Sequence, residues 1–541
     1  MMIIRLLLSL VVVALVSCTA PLASTPSPTT TTSSGVQIGG ALRVALASDV
    51  ATLDPWNASD TSSLLVTRQL FETLVEYEPG GFRIVPRLAE SWQVSPDGRT
   101  WTFSLRRGLK FHDGTDFDAV AVATNIDRAR LSAHPLRGGG GPGGFASYAA
   151  LLEGFDDASV IANVEVRDAA TVAITTKAPF GPLLTDLALP AFAIVSPKSM
   201  RDDPTGWSTP ASGGAAGTGP FLFRPGAWQR DDGITLERHA GYAQRDRDGL
   251  ALPYLDRLAF RTITDEATRI AELRAGTIDV TYDLTLAAIP AVRADPKLQL
   301  IPRRAASVSY LGVAATAAPF DRPEVRRAVA MTIDKTVIAT TIYSGTARAA
   351  PQLLPASMLG HDDSVVEFYR YDTAAAKGLL GDAGLPSGFA TELHYPPAWR
   401  AYQPDPRRVA ESVAADLARI GISVSVRAGD PLTYRADAGA GRFPLWLGDT
   451  VFQSGDPDAL FPDGAPWSGE VAAELLRRAR AEPDASKRTE LYKQVSKIIQ
   501  QDASRVPLVY SDPLAAATGK LRGLVPHPLG VDAYAAVWLG R

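Results

Sequence analysis

The sequence predicts an α/β fold, and two observations carry that prediction. Strand-like and helix-like stretches alternate along the chain with no internal repeat. One of these helices also runs straight into a strand. Asp405 stands as N-cap with Pro406 at the first helical position. Val409, Val413, Leu417 and Ile420 then recur at helical spacing up to Gly421, and Ile422-Ser423-Val424-Ser425-Val426 follows at once. The chain has 541 residues, 46% hydrophobic and 21% charged, which is ordinary for a globular protein and long enough for more than one lobe.

The other elements follow in order. The folded part is expected to begin near Val36, with Ala41-Leu42-Arg43-Val44-Ala45-Leu46 as its first strand. Pro96-Asp97-Gly98 reads as a turn, and Trp101-Thr102-Phe103-Ser104-Leu105 follows with strict period two, the pattern of a half-buried strand. Val164-Glu165-Val166 and Val172-Ala173-Ile174 flank Arg167-Asp168 and suggest paired strands in an antiparallel or mixed sheet. A helix is predicted from Asp321 as N-cap, with Val325, Ala328, Val329, Ile333 and Val337 on one face. Leu491, Val495, Ile498 and Ile499 mark another.

The N-terminus sets the compartment. Arg5 precedes an apolar run from Leu6 to Val16, broken only by Ser9. The run is short of the roughly 20 residues that a membrane-spanning helix needs, and it suits the apolar region of a secretory signal. Leu15-Val16-Ser17-Cys18 resembles the bacterial lipobox, so lipidation is expected at Cys18 and residues 1–18 read as the signal peptide. Cys18 is the single Cys, which excludes an internal disulfide. Residues 19–36, rich in Thr, Ser and Pro, read as a tether. The expected location is extracytoplasmic, with the protein held on the cell membrane by its acyl chains.

Several function classes are excluded. A formal charge of −4 with interleaved Arg, Lys and acids leaves no footprint for nucleic acid. The six His (His112, His134, His239, His361, His394 and His527) form no i, i+4 pair, so no metal site is expected. No Gly-x-Ser-x-Gly elbow occurs. The Gly138–Gly144 run lacks the following Gly-Lys-Ser/Thr of a phosphate loop, and Gly217-Thr218-Gly219-Pro220-Phe221 leads into a strand, which is wrong for a dinucleotide fingerprint. Asp113, Asp116 and Asp118 lack the calcium-loop pattern and read as a turn and a helix start. No catalytic constellation is present, so an enzyme is not expected.

One ordered set of motifs resembles the signature of family 5 bacterial solute-binding proteins. Leu88-Ala89-Glu90-Ser91-Trp92 and Ser95-Pro96-Asp97-Gly98 come first, then Trp101 through Arg106-Arg107-Gly108-Leu109-Lys110-Phe111-His112-Asp113-Gly114. Gly217-Thr218-Gly219-Pro220-Phe221, Glu272-Leu273-Arg274-Ala275-Gly276-Thr277-Ile278-Asp279-Val280 and Pro319-Phe320-Asp321 with Ile333-Asp334-Lys335 continue the match. Tyr371-Asp372 with Ala376-Lys377 extends it, so that nearly the whole mature chain is covered.

The resemblance implies a two-lobed periplasmic-binding-protein fold (type II, cluster C-like) with mixed sheets and a hinge. Residues 37–264 would form the first lobe, with an inserted subdomain at about 55–185. Residues 265–505 would form the second, and 506–541 would return to the first. It further implies the substrate-binding subunit of an ABC importer, a monomer that delivers its solute to permease subunits.

For the ligand, Pro397-Ala398-Trp399-Arg400-Ala401-Tyr402-Gln403-Pro404 is similar to the dipeptide-binding members. By that resemblance Arg400 holds the peptide carboxylate, with Tyr402 and Trp399 beside it, and a guanidinium fork suits a carboxylate. Trp446-Leu447-Gly448-Asp449 and Ser454-Gly455-Asp456-Pro457-Asp458 resemble the same members' Trp-x-Gly-Asp-x-Gly-Asp-Pro-Asp, with Thr450–Gln453 inserted. Asp449, or Asp456 across the insertion, would pair with the α-ammonium. Phe145 and Tyr148 are expected to bring aromatics from the first lobe. The peptide backbone is expected to meet the strand from Tyr310 to Val313. The ligands implied are di- to oligopeptides, and no cofactor is expected. Haem enters as a transported ligand of some dipeptide-type members, nickel is disfavoured, and a peptide-sensing surface lipoprotein is the other reading of the same scaffold.

Overall fold

The structure is a computed structural model that describes residues 35–138, 144–211, 214–365, 367–397, 402–458 and 469–540. Cys18, the leader, most of the tether, Trp399, Arg400 and Gly139 to Gly143 lie outside the described residues. The unit from Gln37 to Arg541 holds, among the described residues, two large sheets, one of four strands and two of two strands.

The first sheet has seven strands in the order Leu298–Pro302, Leu514–Thr518, Val280–Thr281, Ala41–Leu46, Arg257–Thr262, Gly233–Arg238 and Phe221–Gln229. Ala41–Leu46 pairs in parallel with both neighbours, and the remaining pairs are antiparallel, so the sheet is mixed. The second sheet has six strands in the order Ala347–Ala349, Arg505–Ser511, Ser307–Val313, Leu445–Val451, Ala390–Tyr395 and Ser423–Ala428. A four-stranded antiparallel sheet, Ala89–Val94, Thr100–Leu105, Thr171–Thr176 and Ile161–Asp168, forms a body of its own. Its core shows why the period-two reading works: Trp101, Phe103 and Leu105 are buried while Thr100, Thr102 and Ser104 are only half-buried.

The first sheet takes strands from both sides of residue 264. Val280–Thr281 and Leu298–Pro302 lie beyond it in sequence, yet both belong to the sheet of Ala41–Leu46. The chain changes sheet between Pro302 and Ser307, and again between Ser511 and Leu514. The two crossings touch: the Arg303 N–H donates to the Pro513 carbonyl at 2.9 Å.

Helix starts agree with the local signals where a side chain caps the end. Asp405 accepts the Arg408 N–H at 3.0 Å and starts the Pro406–Ala418 helix. Asp118 accepts the Ala121 N–H at 2.9 Å and starts Ala119–Arg130, as the acidic cluster suggested. The helix expected from Asp321 differs. Arg322 is its N-cap, Pro323 is its first residue, and it ends at Thr332. Asp334 then accepts the Val337 N–H at 3.0 Å and opens a separate turn. Two start signals in one apolar stripe divide what periodicity alone reads as a single helix.

Candidate functional site

Ser307–Val313 lies in the middle of the six-stranded sheet, paired on one side with Leu445–Val451 and on the other with Arg505–Ser511. Its main chain is therefore taken up by both neighbours, and the expected backbone contact to a peptide gives way to a side-chain floor. Tyr310 is opposite Gly448, and Gly312 is opposite Trp446. A Cβ on Gly312 would lie 2.0 Å from the Trp446 ring, and one on Gly448 would lie 2.3 Å from the Tyr310 ring. Each aromatic thus lies flat across the glycine of the neighbouring strand, an arrangement any larger residue would prevent. Arg505 is opposite Gly312 on the other side, and its guanidinium carbon is 4.9 Å from the Tyr310 ring centroid.

A cavity of about 690 Å³ opens on this floor, a size suited to a small ligand. Tyr310, Tyr402, Arg435, Trp446, Asp449 and Arg505 line it, and every described lining residue falls between Tyr310 and Arg505. Asp449 is the one carboxylate among the described lining residues, and Arg435 and Arg505 are the cations. The inserted residues Thr450, Val451 and Gln453 line the wall beyond Asp449. There the strand runs on until the Phe452 N–H donates to the Ala306 carbonyl at 2.8 Å.

The structure thus brings Tyr402, Trp446 and Asp449 together. The Tyr402 carbonyl is 3.4 Å from both the Ser309 and the Tyr343 hydroxyls, which fixes the main chain just after the segment that carries Arg400. Burial raises the Tyr343 phenol above its ordinary pKa, and the charge of Asp449 adds to the rise.

Three expected residues lie elsewhere. Asp456 is buried, forms an ion pair with Arg488 and accepts the Tyr492 hydroxyl at 2.9 Å. Arg488 also donates to the Gly181 carbonyl at 2.8 Å, so Asp456 belongs to a contact with the first half of the chain. The Gly455 N–H, which donates to the Tyr77 hydroxyl at 3.2 Å, belongs to the same contact. Phe145 and Tyr148 are core residues of the body around the four-stranded sheet. Phe145 covers Arg137 at 4.6 Å and Arg128 at 5.4 Å. Arg128 in turn makes a two-pronged pair with Asp54 at 2.8 and 2.7 Å. The Tyr148 hydroxyl is 2.6 Å from that of Ser159.

Arg435 and Arg505 line the cavity without having been marked by any motif, and Tyr310 was expected only as the start of a strand whose backbone meets the ligand. A signal for the floor was present, since Tyr310-x-Gly312 and Trp446-x-Gly448 are complementary aromatic–glycine pairs. No local signal marked Arg505, which reaches the cavity through strand order alone.

The chain is similar to known proteins along most of its length. The chain is 30% identical to Heme-binding protein A of Haemophilus influenzae over 501 residues, 88% of each chain. It is 31% identical to the Dipeptide-binding protein of Escherichia coli over 485 residues, 85% of this chain and 87% of the other. Among solved structures it matches the ABC transporter-associated periplasmic binding protein DppA from Helicobacter pylori in complex with peptide STSA. The TM-score is 0.69 at 26% identity, covering 93% of this chain and 99% of that one. The fold is the two-lobed one of periplasmic binding proteins, and family members are substrate-binding transport proteins. Residues 83–470 match the model for bacterial extracellular solute-binding proteins, family 5, and the chain belongs to that family.

Proposed function

We propose that this protein is the substrate-binding lipoprotein of an ABC importer, that it captures short peptides, and that it is not an enzyme. The observation that carries the reading is the cavity on the Tyr310–Trp446 floor, where Tyr402 and Asp449 meet. Asp449 pairs with the peptide's α-ammonium, and Arg400, by its motif, takes the terminal carboxylate. Asp456 is left out of this role because Arg488 and Tyr492 already occupy it. A roomy cavity leaves the side chains loosely held, which suits broad sequence tolerance.

The lobes turn about the paired crossings at 303–306 and 512–513, in place of a boundary at 265. The first lobe then holds the seven-stranded sheet and the four-stranded body, and the second holds the six-stranded sheet. Cys18 carries the lipid anchor on the outer face of the membrane. No helix among the described residues is long and apolar enough to cross it. The protein works as a monomer with permease subunits.

Mass spectrometry of material released on denaturation tests the reading: short peptides are expected, and Asp449→Asn is expected to weaken their binding at least tenfold. Haem is the second reading, favoured by the flat aromatic floor and by the relative named for it. A haem absorbance band on the purified protein, with no peptide released, would replace the peptide reading.

A further inference from the structure

The cavity carries an apolar wall that the two termini of a peptide do not need. Pro396 and Pro397 follow the Ala390–Tyr395 strand, and Pro431 and Leu432 come shortly after Ser423–Ala428. The two strands pair in parallel, with Tyr395 opposite Ala428, so both loops leave the sheet side by side. All four residues line the cavity, on whose wall Asp449 also lies. Pro397, Pro431 and Leu432 are exposed. Leu432 is 93% exposed, the most of any large apolar side chain among the described residues.

The turn around Leu432 is held by its neighbours. The Asp430 carboxylate accepts the Leu432 N–H at 2.8 Å and the Thr433 N–H at 3.0 Å. The Tyr434 hydroxyl is 2.6 Å from the Leu447 carbonyl and 3.1 Å from that of His394. The Tyr434 ring in turn lies across Gly429, where a Cβ would be 2.1 Å from it. Leu432 is thus presented to the cavity by a turn tied to the strands beneath it. A single exposed leucine is ordinary on a protein surface, whereas three exposed apolar residues meeting at the mouth of a cavity mark a place for an apolar partner.

We propose that Leu432, with Pro397 and Pro431, forms a subsite for an apolar side chain of the ligand, and that Leu432 sets the preference there. The favoured substrates are short peptides with a leucine-like residue at that position. This rests on the peptide reading and adds a side-chain preference to it. An apolar side chain laid on Leu432 removes apolar surface of both from water. An asparagine of nearly the same shape gives up bonds to water and meets no polar side chain on these three residues.

The test is titration calorimetry on ligand-stripped protein with Ala-Ala, Leu-Ala, Ala-Leu, Asn-Ala and Ala-Asn. One of the leucine peptides is expected to bind about tenfold more tightly than its asparagine counterpart. In Leu432→Asn that ratio is expected to fall below about threefold, with Ala-Ala bound as by the wild type. A side chain this exposed is replaced with little change in melting temperature, so the variant is expected to fold. Equal affinities for leucine and asparagine peptides in the wild type, or an unchanged ratio in the variant, would overturn the apolar subsite and leave the peptide reading intact. An equal loss for every peptide in the variant would also overturn it, and would assign Leu432 to a contact made on lobe closure. No binding of any of these peptides to the wild type would overturn both.

Discussion

His112 shows how a motif residue acquires its role from its surroundings. Its Nδ1 accepts the Gly217 N–H at 3.2 Å, so Nε2 carries the proton and donates to the Gly219 carbonyl at 3.0 Å. The ring also lies edge-on to His239 at 4.7 Å between centroids. It therefore ties the Lys110–Gly114 region to the Gly217–Gly219 turn as a neutral group. Burial is the main cause pulling its pKa down to about 4; the Gly219 bond opposes the shift and His239 adds to it. A depressed pKa means that the unfolded chain binds the proton first as pH falls. The contribution is complete above about pH 6.5 and is lost progressively toward pH 4. A shift of this size corresponds to roughly 3 kcal/mol. Urea unfolding at pH 7 and pH 4.5 checks this. His112→Gln keeps a donor and an acceptor but cannot titrate, so it is expected to lose less stability than wild type over that interval. Equal losses in the two proteins would show that the ring does not control the slope.

At the scale of elements, the cavity floor is a property of three adjacent strands. Neither aromatic could lie flat without the glycine opposite it. Gly312→Ala would put a methyl 2.0 Å from the Trp446 ring, and the floor would have to buckle. The expected cost is about 1–3 kcal/mol, as for other overpacked sites. A change in tryptophan fluorescence and weaker ligand binding should accompany it. A Gly312→Ala protein with wild-type stability and affinity would mean that the floor is not preorganised by this fit. The Arg488–Asp456 pair belongs to the same scale. It fixes the Ala485–Asp502 helix against the Gly181 carbonyl and engages the first carboxylate of the Asp456-Pro457-Asp458 string.

For the whole molecule, two short crossings separate the sheets, and a hydrogen bond joins them at Arg303 and Pro513. Arg303 is anchored in turn: its guanidinium pairs with buried Asp532 at 3.3 Å and lies 5.0 Å from the Tyr282 ring. Asp532 also accepts the Tyr282 hydroxyl at 2.7 Å, so the first crossing is tied to the C-terminal segment. Such an anchor confines motion to a few backbone torsions on either side, as in hinged closure. Small-angle scattering should therefore show a smaller radius of gyration with saturating peptide than without. An unchanged radius under saturation would exclude closure about these crossings.

The sequence by itself determined the features that neighbours along the chain control. Asp405-Pro406, Asp118 and the period-two Trp101–Leu105 run were legible because caps and alternation are settled within a few residues. Tyr402, Trp446 and Asp449 were legible as short strings around the cavity. The tertiary structure alone decided what depends on strand order and register. Pairing Leu298–Pro302 with Leu514–Thr518 kept the chain in the first sheet as far as Pro302. Register between distant segments also buried Asp456 against Arg488 while leaving Asp449 on the cavity wall. Strand order also carried Arg505 to the floor, and packing closed Phe145 and Tyr148 into a core. A side chain's face and partners come from contacts between residues far apart in the chain, and no local pattern encodes them.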